Sequence, residues 1–128
     1  MLITVPTART VEELAERIPK ACADEKFGVL GSIDLRAKLR EKGQPYDRAC
    51  VVFEVCRPDV ARRALEAAPE VSVALPCRIA VFEKPDGSRM LATIRPRELL
   101  ALVGPSDMGP VADEVEQSLR AIMEKAAR

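Results

Sequence analysis

Apolar residues recur at helical spacing in two segments, one towards each end of the chain. The clearer stripe consists of Val111, Val115, Leu119, Ile122 and Ala126. Because these positions share one side of an α-helix, they predict an amphipathic helix that packs on a sheet. The other stripe consists of Val11, Leu14, Ala15, Ile18 and Cys22. It starts at a capping box, Thr10 and Glu13, and Pro19 predicts a kink or an early end because proline lacks an amide donor.

Five segments have the apolar, β-branched composition that is typical of strands. They are Met1–Thr7, Phe27–Leu35, Ala49–Val55, Cys77–Glu83 and Arg89–Ile94. We expect Pro6 to end the first strand. In the second segment, alternation assigns Phe27, Val29, Ile33 and Leu35 to one face, and its two glycines predict a bulge. Pro85, Asp86 and Gly87 predict a hairpin turn between the last two strands.

Shorter helices are predicted over Arg36–Glu41, from Pro58 to the residues before Pro69, and over Arg97–Val103. The elements therefore follow the order strand, helix, strand, helix, strand, helix, hairpin, helix. Because a hairpin pairs its strands antiparallel, an all-parallel doubly wound sheet is excluded. The pattern predicts an α+β fold, in which helices pack on one face of an antiparallel sheet, and a single domain spanning 1–128.

Charge and composition restrict the function more than they identify it. Twenty Lys and Arg residues balance twenty Asp and Glu residues, so the chain lacks the basic field of a nucleic-acid-binding protein. The absence of His removes Ser-His and Cys-His nucleophile pairs and every His-containing metal site. No segment resembles a signal peptide or a membrane span, which predicts a cytoplasmic protein. We expect no nucleic acid, membrane, metal or cofactor partner.

Two of the four cysteines are candidate site residues. In the cytosol all four are expected as thiols, and no pair has the C-x-x-C spacing of a redox or zinc motif. Cys56 ends a strand just before the helix that starts at Pro58, and a helix N-terminus lowers a thiol pKa. Arg57 adds to this effect if its side chain folds back. The alternative is that Cys56 and Cys77 are small buried hydrophobic residues at strand ends.

Two carboxylates complete the candidate set. Asp34 closes the second strand, and Glu54 shares a strand face with Cys56. A pair of carboxylates is suited to acid–base chemistry, but the sequence does not bring these two together. A strand-end Asp more commonly caps the following helix.

Three segments together resemble a known family. They are Phe27-Gly28-Val29-Leu30 with Ile33-Asp34-Leu35, Val55-Cys56-Arg57-Pro58 with the following alanine-rich helix, and Ala74-Leu75-Pro76-Cys77-Arg78-Ile79-Ala80-Val81-Phe82-Glu83. On these motifs the chain resembles the Domain of Unknown Function 302 family, small bacterial and archaeal proteins. The resemblance extends from about Val11 to about Leu100.

The resemblance implies a curved antiparallel sheet backed by helices, in a TATA-binding-protein-like topology, and a homodimer. It does not imply a reaction, since fold alone does not assign function. The sequence departs from the family pattern at two positions. Arg57 replaces the usual asparagine after the first motif cysteine, and Glu54 replaces a small residue. Both changes predict a more polar site.

Two functions remain open from the sequence. The first is a small binding module whose ligand, anionic or thiol-reactive, lies at the Cys56 and Cys77 strand ends beside Arg57, Glu54 and Asp34. The second is a thiol-dependent redox enzyme or sulfur carrier in which Cys56 is the reactive thiol and Cys77 its partner. A shared site requires both cysteines at the same rim of the sheet.

Overall fold

The computed structural model describes all residues from 1 to 128. Its strands are β1 Leu2–Thr7, β2 Gly28–Asp34, β3 Cys50–Cys56, β4 Cys77–Glu83 and β5 Arg89–Ile94. Its α-helices are α1 Val11–Asp24, α2 Leu35–Glu41, α3 Pro58–Ala67, α4 Pro96–Val103 and α5 Gly109–Ala127. Two 3₁₀ segments, Pro69–Ala74 and Ser106–Met108, precede β4 and α5. The predicted succession of strands and long helices is confirmed, whereas the 3₁₀ segments were not predicted.

The five strands form one open sheet in the order β1-β5-β4-β3-β2, and every neighbouring pair is antiparallel. The hairpin predicted at Pro85 joins β4 to β5, with Gly87 at a positive φ of 87°. The predicted α+β class and antiparallel sheet are confirmed.

The main core lies between one face of the sheet and the helices α1, α3 and α5. The strands contribute alternate residues, among them Phe53 and Val55 of β3, and the predicted helical stripes supply Leu14 and Leu119. Leu14, Leu119 and Val55 have no exposed surface. Both stripes therefore face the sheet, as their periodicity predicts, except that Ala15 of the first stripe is exposed. None of the helices is both long and apolar enough to cross a membrane.

Two prolines fail to end the elements that contain them. Strand β1 continues through Pro6, which pairs with Met90. As β1 is an edge strand, proline is tolerated there. Helix α1 continues past Pro19 to Asp24, so of the two expected outcomes, a kink or an early end, the early end does not occur. Because Pro19 has no amide N–H, the Ala15 carbonyl lacks its helical hydrogen bond. Both residues are exposed, so water can satisfy that carbonyl. The buried residues of α1 hold the helix against the sheet.

Strand β2 differs from its predicted face. The register with β3 shifts between Val29 and Gly31, which confirms the predicted bulge. Val29 pairs with Val55 on the helix-covered face, but Ile33 pairs with Val52 on the opposite face. Phe27 and Leu35 lie outside the strand. The expectation of one shared apolar face was therefore wrong, because one extra residue reverses the orientation of those that follow.

A second, smaller core lies beside the main one. It consists of Ala64, Ala68, Val71, Leu100, Met108 and Ala112, contributed by α3, both 3₁₀ segments, α4 and α5. Short apolar stretches far apart in the chain build this cluster. Residues of both the smaller core and the main core line the candidate site.

Candidate functional site

A cavity of about 180 Å³ lies where β3 ends and β4 begins. The ends of β3, β4 and β5 form its sheet side, while α3, the Pro69–Ala74 segment, α4 and α5 form its helix side. Its walls include Val55 and Val115 of the main core and Ala64 and Leu100 of the smaller core. The cavity therefore occupies the seam between the two hydrophobic clusters.

Both candidate cysteines line this cavity. Cys56 is the last residue of β3 and Cys77 the first of β4. In the antiparallel register Cys77 is opposite Val55, so Cys56 is one residue beyond that pair. The two cysteines therefore lie at the same end of adjacent strands, as a shared site requires.

The surroundings of the two cysteines favour the neutral thiol. Burial raises the pKa of Cys56 above its ordinary value. Burial raises the pKa of Cys77 from 9.0 to about 11, and the nearby Cys56 adds to that increase. The effect expected of a helix N-terminus is in the opposite direction and is outweighed, because removal from water disfavours the charged thiolate. At neutral pH the cavity wall presents sulfur without charge.

Arg57 also lines the cavity, but its charge is directed to carboxylates and not to sulfur. Its Nε donates a hydrogen bond to Asp59 Oδ1 at 2.9 Å, and its Nη2 lies 3.0 Å from Glu114 Oε1. The hydrogen bond from Arg57 lowers the pKa of Asp59. Because Glu114 belongs to α5, Arg57 ties the start of α3 to α5 at one wall of the cavity.

The two candidate carboxylates lie outside the cavity. Asp34 is the N-cap of α2, where its Oδ1 accepts a hydrogen bond from the Ala37 amide at 3.0 Å. This is the capping role that the sequence suggested as the alternative. Together with burial, Asp34 raises the pKa of Cys50, which lies at the opposite end of β3 from Cys56. Glu54 is opposite Arg78 in β4, on the sheet face that the main core leaves uncovered.

Sequence reasoning missed most of the cavity wall. Val73, Leu99 and Leu100 come from segments with no recognisable motif, whereas Leu75 lies in the motif that contains Cys77. The one local signal was Thr93, a polar residue in the apolar strand β5. Thr93 is only 5% exposed, and its hydroxyl donates a hydrogen bond to the Arg78 carbonyl at 2.6 Å. No three Cys, Asp or Glu side chains lie close enough together to hold a metal ion.

Comparison with known proteins assigns the family. The family model described as domain of unknown function DUF302 matches residues 3–126. The chain belongs to the DUF302 family. This DUF302 chain is similar to the crystal structure of uncharacterized conserved protein DUF302 from Bacillus stearothermophilus, with a TM-score of 0.91 and 28% sequence identity. The similarity covers 99% of this chain and 98% of the other. Among curated proteins, none matches significantly.

In this DUF302 protein, the two departures from the family pattern have different consequences. Arg57 lies in the cavity wall, with its side chain only 15% exposed. Glu54 lies on the other face of the sheet and leaves the cavity unchanged. Only one of the two departures therefore brings a polar side chain to the cavity.

Proposed function

We propose that this DUF302 protein is a binding module that takes a small, largely apolar molecule in the cavity beside Cys56 and Cys77. The cavity itself carries the proposal, because fifteen of its twenty lining residues are hydrophobic. Ligand sites are typically concave and mostly apolar, with a few polar groups that orient the ligand. Here those polar groups are Arg57 and the Thr93 hydroxyl.

The size of the cavity limits the ligand. An apolar cavity of about 150 Å³ in another protein stays dry and binds benzene. At about 180 Å³, this cavity suits a molecule only slightly larger. Val73, in its wall, is 77% exposed, which supports access from solvent through the Pro69–Ala74 segment.

The alternative of a thiol enzyme or sulfur carrier has less support. Such chemistry uses the thiolate, which enzymes stabilise with a nearby positive charge. In this site burial raises the pKa of both thiols, and Arg57 is paired with Asp59 and Glu114. We therefore assign Cys56 and Cys77 the role of polarisable walls that contact the ligand.

Filling the cavity tests the proposal. The probes are 1-octanol and sodium octanoate, and binding is followed by NMR chemical shifts of the amides around the cavity. The substitution Ala61→Phe places an aromatic ring in the wall of α3. We expect it to weaken binding by at least about tenfold, because a filled cavity loses its contacts with the ligand.

The matched control is Ala67→Phe, since Ala67 lies on the exposed side of the same helix. We expect its affinities to match the wild type. A second measurement uses only the wild-type chain and so does not depend on whether the variant folds. Bound probe should slow the alkylation of Cys56. If neither probe binds the wild type and neither protects Cys56, the binding proposal is wrong.

We also propose that two copies associate through the sheet face opposite the main core. Ile33, Val52, Ala80 and Ala92 form an apolar row across β2, β3, β4 and β5 on that face. None of the four belongs to the main core, and all but Ala92, which is 6% exposed, keep exposed surface. A net charge of zero means that a second copy meets no net repulsion. An isologous contact of this row with itself would cover it.

Light scattering at high micromolar concentration is expected to give twice the chain mass of 14.0 kDa. Val52→Lys should shift the protein to the monomer mass because it places a charge in the apolar row. Leu102→Lys is the control, since Leu102 is 75% exposed on α4, and it should leave the dimer intact. A wild-type protein of monomer mass contradicts the dimer.

A further inference from the structure

The cavity wall contains one hydroxyl group, that of Thr93 in β5. In the antiparallel register of β1 with β5, Thr93 is opposite Ile3, which belongs to the main core. Because directly opposite residues share a face of the sheet, the Thr93 side chain lies on the helix-covered face, where the cavity is. Thr93 is only 5% exposed, so bulk water has little access to its hydroxyl.

The Thr93 hydroxyl has an acceptor that the protein does not use. The hydroxyl donates its hydrogen to the Arg78 carbonyl at 2.6 Å, and this bond joins β5 to β4 beyond Ala80 and Ala92, where their paired register ends. A hydroxyl oxygen can also accept hydrogen bonds through two lone pairs. No amide, side chain or thiol of the chain donates to this oxygen. The apolar wall therefore contains a buried acceptor that suits a ligand with a donor.

The charges beside the cavity balance one another. Arg57 forms ion pairs with Asp59 and Glu114. Glu114 also pairs with Arg63 at 3.3 Å, so the cluster holds two cations and two carboxylates. The Arg78 side chain is exposed on the sheet face that the main core leaves uncovered. A charged ligand would lose its hydration without gaining a free counter-charge, which is costly, so the cavity favours an uncharged ligand.

We infer that the ligand is an uncharged hydrocarbon with one hydroxyl group, an aliphatic alcohol or a phenol, and that this hydroxyl donates a hydrogen bond to Thr93 Oγ1. This inference rests on the proposed binding function and names the class of ligand. With about 180 Å³ available, the hydrocarbon part is a medium-length chain or a single ring. The hydrogen bond to Thr93 orients the ligand, while the apolar walls contact its hydrocarbon part.

The test compares 1-octanol with its isomer 1-methoxyheptane by NMR titration, because the ether keeps the oxygen and lacks the O–H donor. We expect the wild type to bind 1-octanol about fivefold more tightly, since a hydrogen bond to a buried acceptor contributes to affinity. A wall without an acceptor would give the opposite order, because the alcohol loses more hydrogen bonding on leaving water. Sodium octanoate should bind at least about tenfold more weakly than 1-octanol, since its charge has no free partner.

Three variants locate the acceptor. Thr93→Val removes the hydroxyl at nearly constant volume and should abolish the preference for 1-octanol over the ether. Thr93→Ser keeps the hydroxyl and should keep the preference. Thr4→Val is the matched control, because it makes the same change at an exposed position of β1 outside the cavity. We expect it to leave the preference unchanged.

A further measurement uses only the wild-type chain, so it does not depend on whether Thr93→Val folds. With 1-octanol bound, the methylene group next to the alcohol oxygen should give nuclear Overhauser effects to the Thr93 methyl group. Contacts of that methylene with Val73, which is 77% exposed, and none with Thr93 would place the hydroxyl at the solvent side and contradict the inference.

The possible failures are distinguishable. Equal or reversed affinities of the wild type for 1-octanol and the ether would overturn the hydroxyl assignment and leave the binding function standing. A preference that survives in Thr93→Val would also overturn it, since the donor would then be recognised elsewhere. Octanoate that binds as tightly as 1-octanol would contradict an uncharged ligand. Absence of binding by all three probes would overturn the binding function itself.

Discussion

Replacing Leu119 with alanine is expected to lower the free energy of unfolding by about 2–5 kcal/mol. Leu119 has no exposed surface and belongs to the main core, where α5 packs on the sheet. Removing its side chain loses apolar contacts and leaves a cavity that rigid neighbours fill only in part. Urea denaturation of the two proteins under identical conditions measures the difference, with an unchanged slope indicating a similar unfolding transition.

Leu102→Ala is the matched control for this measurement. Leu102 is 75% exposed on α4, so its truncation should change the free energy of unfolding by less than about 0.5 kcal/mol. If Leu119→Ala costs as little as the control, then α5 does not pack on the sheet as the structure describes.

Alkylation of the cysteines is expected to be strongly suppressed in the folded protein. The pKa values of Cys22 and Cys77 are both raised from 9.0 to about 11 by burial. At pH 8 an increase of this size reduces the thiolate fraction by about a hundredfold, and the thiolate is the reactive species. We therefore expect iodoacetamide to modify both residues at least about a hundredfold more slowly in the native chain than in urea. Mass spectrometry of peptides from timed samples gives each rate.

Cys56 decides between the two functions in the same experiment. Because burial raises its pKa, its alkylation rate should still be rising above pH 9. The unfolded chain in urea is the reference for every cysteine. A native Cys56 that reacts faster than this reference at pH 7 would contradict the binding module and favour the thiol enzyme.

The same shifts predict how stability depends on pH. A raised pKa means that folding favours the neutral thiol, so the contribution of Cys22 and Cys77 is fully present below pH 9. It is lost as the pH rises from 9 towards 11, where the unfolded chain ionises first. The double variant Cys22→Ala, Cys77→Ala should therefore lose less stability than the wild type over that interval, whatever its stability at pH 7. An equal loss would contradict the raised pKa values.

The candidate site could be predicted only in part. The strand-to-helix corner at Cys56 and the strand start at Cys77 are local features, and an antiparallel register brings them together. The sequence could not predict the apolar walls of the cavity. Val73 and Leu99 belong to no motif, and they line one cavity only when the chain is folded. The net shift of the Cys56 pKa is opposite to the one expected from the helix N-terminus, because burial raises this pKa and depends on residues that are distant in sequence.

By itself the sequence determined the elements that depend on neighbours along the chain. The capping box at Thr10, the turn at Gly87 and the stripe through Leu119 each need only local spacing, and each was found where expected. The tertiary structure decided whatever depends on contacts across the chain. Helix α1 continues beyond Pro19 because Ile18 and Cys22, on either side of it, are buried in the core. The tertiary structure also ended the pairing of β4 with β5 at Ala80 and Ala92, although Thr93 and Ile94 remain paired with β1 and the start of β4 remains paired with β3.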